Sequence, residues 1–125
     1  MNSHKFSLSK RLKSFSYAFN GLRILLSEEH NSLIHLVASV IAVLAGVILH
    51  ISLYEWIAVC FAIGFVFAME LVNTAFENLS DLVSPQQNTS IKVVKDVAAA
   101  AVFMAALSAL IVGMIVFVPK LLDLI

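Results

Sequence analysis

Charge is scarce in this sequence. Only 13% of its 125 residues are Asp, Glu, Lys or Arg, whereas a soluble domain carries about a quarter. With 61% hydrophobic residues, most of the surface must meet something other than water. Cysteine is nearly missing: Cys60 stands alone, so no intrachain disulfide can form, and it is expected to be a small buried hydrophobe. No early apolar segment followed by small residues opens the chain, so a cleavable secretory signal is not expected. Also absent are a Walker A loop, G-x-G-x-x-G, C-x-x-C and H-E-x-x-H. Any phosphate would therefore have to be held by scattered side chains. The net charge is zero with neutral histidines and indicates no particular partner; no nucleic-acid partner is expected.

What remains is a membrane chain. Three stretches, about 33–51, 56–76 and 97–118, approach the roughly 20 apolar residues that cross a bilayer. Gly46, Gly64 and Gly113 fall within them, as close helix contacts permit. Lys5, Lys10, Arg11, Lys13 and Arg23 precede the first stretch, and Lys92 and Lys95 lie between the second and third. The "HISLYEW" turn has neither Lys nor Arg, so the N-terminus and the 82–96 loop are predicted to be cytoplasmic and the C-terminus outside. Tyr54 and Trp56 would anchor the outer interface.

Residues 8–27 are too polar to span. Leu8, Leu12, Phe15, Phe19, Leu22 and Leu26 recur at helical spacing with the basic residues largely off their stripe, which predicts an amphipathic helix on the inner leaflet. The polar loop "SPQQNTS" ends the preceding helix near Pro85. The expected fold is all-α: one domain over 1–125, with a surface helix and three transmembrane helices.

One feature resists a lipid-facing explanation. In "FAMELVNTAFENLSDLV" (67–83), Glu70, Asn73, Glu77 and Asp81 fall within roughly 80° of one another on a helix. They make a polar stripe from inside the bilayer to the cytoplasmic surface. A carboxylate at the depth of Glu70 costs several kcal/mol unless it faces protein, metal or water. Glu28, Glu29, Lys95 and Asp96 are expected at the same inner boundary. Carboxylates gathered with Lys at one depth suit a hard cation and a phosphate, and Asp96, if it opens the third helix, adds that helix's N-terminal amides. The residues alone leave two classes open, a lipid phosphotransferase and an ion-coupled membrane subunit. The nearly bare outer halves of the spans favour the first.

"MELVNTAFENLSDLV" resembles the signature of the prokaryotic diacylglycerol kinase family, Glu-x-x-Asn-(Ser/Thr)-Ala-(apolar)-Glu-x-x-x-Asp. "KDVAAAAVF" (95–103) and "YAFNGLRILLSEEHNSLIHL" (17–36) extend the resemblance to about residues 8–118, with small departures at Phe76 and Ser80. The resemblance implies a homotrimer with shared sites that phosphorylates a lipid alcohol with ATP and Mg²⁺ at the bacterial plasma membrane. It makes Glu70 the general base, and Glu29 and Glu77 the metal ligands. Lys10, Tyr17, Asn73, Asp81, Lys95 and Asp96 become ATP contacts, with Lys95 on phosphate, and Asn31 and His35 lipid contacts. Lys10 stands where the family often has Arg, so a single-point contact replaces a fork. The "QQNTS" loop (86–90) lacks the acidic and aromatic residues common there. "SEEHNSLIHL", "HISLYEW" and "KDVAAAAV" resemble the undecaprenol kinase branch more than the diacylglycerol branch.

Overall fold

The computed structural model describes residues 6–86 and 88–125, so Lys5 and Gln87 lie outside the described residues. Four helices follow one another: α1 (Leu8–Glu28), α2 (His30–Ile48), α3 (Leu53–Val83) and α4 (Thr89–Leu122). Polar residues begin three of them. Ser7 accepts from the Lys10 amide, Asn88 from the Ile91 amide, and Ser52 forms a reciprocal capping box with Glu55.

The turn between α2 and α3 closes by backbone bonds. The His50 amide donates to Val47 and the Ile51 amide to Gly46, at 3.3 and 3.1 Å, which is the Schellman arrangement. His50 takes the left-handed conformation (φ 49°) usually left to glycine. Close packing beside this turn requires Gly46 itself, because a Cβ there would sit 2.7 Å from the Trp56 ring. Ile51, Val59 and Val116 form a small buried cluster at this end, flanked by Trp56, Ile63 and Phe117.

At the opposite end α3 stops near Pro85 as expected, whereas α4 starts earlier than the sequence suggests. α2, with 19 residues, rises about 28 Å and just spans a hydrocarbon core. α3 and α4, with 31 and 34 residues, rise about 46 and about 51 Å and overrun it. α4 begins at Thr89, so Lys95 and Asp96 sit about two turns inside it rather than at its start. The helix-terminus contribution assigned to Asp96 is thereby corrected, since that field fades beyond the first turn. At its other end α4 continues past Pro119 to Leu122.

α1 leaves the bundle at an elbow. Glu29 is extended (φ −110°, ψ 110°), and the buried Ser32 hydroxyl lies 3.0 Å from the Leu25 carbonyl and 2.6 Å from that of Glu29. Leu25 is the buried residue of α1; the apolar stripe from Leu8 to Leu22 is exposed and has no cover within the chain. The amphipathic helix is thus present, and such a face suits a bilayer surface. Cys60 departs from expectation: it is exposed on the outside of α3, where a thiol can face lipid or another subunit.

Candidate active site

Burial along the polar stripe of α3 is graded. Glu70 is 2% and Asn73 8% exposed, Glu77 is half-buried and Asp81 exposed. Thr74, one turn beyond Glu70, and Ser80 are also buried. Asn73 Nδ2 donates to Glu77 Oε1 at 3.3 Å, while Asn73 Oδ1 is buried without a partner. Glu70 and Glu77 are two turns apart, about 10 Å along the axis. One carboxylate is therefore deep among apolar helices and the other near the surface.

The elbow supplies the second carboxylate. Glu29 occupies the N-cap of α2 but makes no capping bond with its side chain. Its carboxyl instead feels Glu77 as the strongest of the neighbouring charges. Partial burial, followed by the adjacent Glu77, raises the Glu29 pKa above the ordinary carboxylate value, with Glu70 and Glu28 adding to it. Two acids, one at the elbow and one on α3, thus repel each other, a cost that a cation between them removes. Among the described residues, no three His, Cys, Asp or Glu side chains form a complete metal cage. The donor set fits a metal that brings further oxygen ligands with it, as Mg²⁺ does with phosphate and water.

The remaining candidates divide into those drawn to the stripe and those left outside. Lys95 pairs with Asp81, joining α4 to the exposed end of the stripe, and Lys92 pairs with Asp96 along α4. His35 Nε2, on α2, lies 3.1 Å from Glu70 Oε1. Asn31 is exposed beside the elbow. Lys10 and Tyr17 lie on the exposed N-terminal part of α1, with Tyr17 72% exposed, and this chain does not bring them to the carboxylates. Sequence reasoning named His35, Glu70, Lys95 and Asp81 but did not pair them. It missed Thr74, four residues beyond Glu70 on the same face, and Ser32, whose place three residues after the α2 N-cap is its only signal.

Between α2, α3 and α4 runs a cavity of about 630 Å³. His35 and Ser39 are its polar lining residues; the others, including Ala42, Val59, Ile63 and Leu110, are apolar or glycine. Ser39 Oγ already donates to the His35 carbonyl at 2.7 Å.

Comparison with known proteins decides between the two classes left open. The family model "Prokaryotic diacylglycerol kinase" matches residues 16–117. The chain belongs to this family. It is 34% identical over 118 residues to an undecaprenol kinase of Bacillus subtilis, an alignment covering 94% of this chain and 96% of that protein. It is 35% identical over 114 residues to a diacylglycerol kinase of Synechocystis, covering 90% of this chain and 65% of that one. Family membership makes the protein a lipid kinase of the membrane and removes the ion-coupled alternative. Three helices long and apolar enough to cross a bilayer agree with that assignment.

Proposed function

We propose that this lipid kinase transfers the γ-phosphoryl group of ATP to undecaprenol, with Mg²⁺, at the cytoplasmic face of a bacterial plasma membrane. The observation that carries the proposal is the Glu29–Glu77 pair, set about 10 Å along α3 from the buried Glu70. That spacing suits two substrates meeting from opposite sides, the lipid from the bilayer and the nucleotide from water.

Glu29 and Glu77 hold Mg²⁺, which when bound supplies charge neutralisation for the transferring phosphoryl group. Asn73 orients Glu77 through their hydrogen bond, and its Oδ1 is left without a partner. Lys95 binds phosphate, and its pairing with Asp81 holds it at the edge of the site beforehand. Asp81, Asp96, Lys10 and Tyr17 contact the nucleotide. Because Lys10 and Tyr17 stand away from the carboxylates of their own chain, the site is completed by a neighbouring subunit of a homotrimer. Glu70 accepts the proton of the lipid hydroxyl as its oxygen attacks the γ-phosphorus, and ADP leaves. Asn31 and His35 guide the lipid head. The positive-inside distribution supports a cytoplasmic site with the C-terminus outside.

Two observations favour undecaprenol over diacylglycerol. The undecaprenol kinase relative matches over nearly its whole length. The cavity that begins at His35 also has no free hydrogen-bond donor in its apolar length. A polyprenol leaves nothing polar there, whereas a buried ester carbonyl without a donor costs about 1–3 kcal/mol. The test is transfer of labelled γ-phosphate to each alcohol in mixed micelles. Undecaprenol is expected to have the larger kcat/KM by at least about fivefold, the ratio for one such carbonyl. A preference for diacylglycerol would overturn the acceptor, and no transfer to either would overturn the reaction.

A further inference from the structure

The geometry points to His35 as a positioning residue that orients Glu70 for proton acceptance. This rests on the proposed role of Glu70 as general base. Glu70 is the most buried charged residue described, and its Oε1 has no aligned hydrogen-bond donor. The nearby Thr74 hydroxyl is likewise unpartnered. A carboxylate in such surroundings needs a donor to remain charged and to keep one orientation. His35 is the side chain placed to supply it: Nε2 is 3.1 Å from Oε1, with the His35 side chain 24% and that of Glu70 3% exposed. The contact is within reach but off the axis of a hydrogen bond, and bonds of this kind tighten when substrate fills a site.

His35 also stands where two spaces meet. Its ring lines the apolar cavity between α2, α3 and α4 and touches Glu70. A proton on Nε2 donated to Oε1 leaves the other carboxylate oxygen of Glu70 for an alcohol entering from the cavity. The imidazole neither takes the substrate proton nor contacts phosphate; it fixes the group that takes the proton. The consequence falls on turnover rather than on nucleotide binding.

The experiment uses the full-length protein in mixed micelles with undecaprenol and labelled ATP, comparing H35A, H35Q and H35N, with E70Q as reference. H35A is expected to lower kcat about 10- to 100-fold with KM for ATP within about twofold, the loss typical of a hydrogen bond to a charged group. H35Q places an amide N–H near the position of Nε2 and is expected to recover most of kcat, whereas H35N, one methylene shorter, is not. Unchanged kcat in H35A overturns the proposal. So does a loss confined to the lipid KM, which makes His35 a substrate contact only, and so does H35Q as slow as H35N. If H35A fails to fold, the contrast of H35Q with H35N decides alone. Wild-type kcat in E70Q would instead overturn the base role of Glu70, whatever His35 does.

Discussion

Single side chains carry the chemistry here, and the Glu29–Glu77 pair makes the sharpest predictions. Glu77→Gln is expected to abolish measurable phosphotransfer, because an amide cannot replace a charged ligand of a hard cation. The fold should survive, since the substitution also removes like-charge repulsion from Glu29. Thermal unfolding in detergent without divalent cation checks this, with a midpoint no lower than wild type expected. The raised Glu29 pKa sets a pH dependence. A carboxyl raised on folding binds its proton more tightly in the folded chain, so its own contribution to stability grows as pH falls through that range and is lost above it. Cation binding runs the other way, because it needs the ionised acid. Mg²⁺ affinity, followed by titration calorimetry with an ATP analogue, should weaken as pH falls, beginning above the range of an ordinary carboxylate. A flat profile would separate Glu29 from the cation.

Elements are positioned by a few local devices. The α2–α3 turn stores strain at His50, which holds a left-handed backbone with a side chain that glycine would lack. His50→Gly is expected to stabilise the folded protein by about 0.5–1 kcal/mol, visible as a higher unfolding midpoint with activity unchanged. The elbow at Glu29 works in the opposite sense, because Ser32 and the extended backbone aim a functional carboxylate at α3. Much of this level was legible in the sequence. The apolar stripe of α1, the three spans and the helix end near Pro85 follow from periodicity and proline alone. The length of α4 was not legible from hydropathy. Its polar first two turns read as loop, and the Asn88 cap starts the helix well before its apolar run.

The whole chain is too thin to enclose its own site. Few apolar residues are buried among those described, and α1 projects its stripe away from the bundle. The proposed trimer with shared sites suits such a chain. Mixing subunits inactivated at Glu70 with subunits inactivated at Tyr17 should restore a measurable fraction of activity, since some sites then draw intact residues from both. Assay of co-purified mixed trimers checks it, and activity no higher than that of either parent would place each site within one chain. The exposed Cys60 gives a probe of the same assembly, because its face of α3 is free within one chain.

Periodicity along one chain fixed which residues share a helix face, so three membrane spans, a surface helix and a stripe from Glu70 to Asp81 were determined before any fold was known. Contacts between helices were not, because they depend on crossing, offset and the elbow rather than on spacing. Only the tertiary structure set Glu29 against Glu77, His35 against Glu70 and Lys95 against Asp81, and moved Lys95 and Asp96 into the body of α4. The reason is physical: hydropathy reports the solvent each residue prefers, whereas the pairing of polar and charged groups is decided by which partner the packed backbone brings within reach.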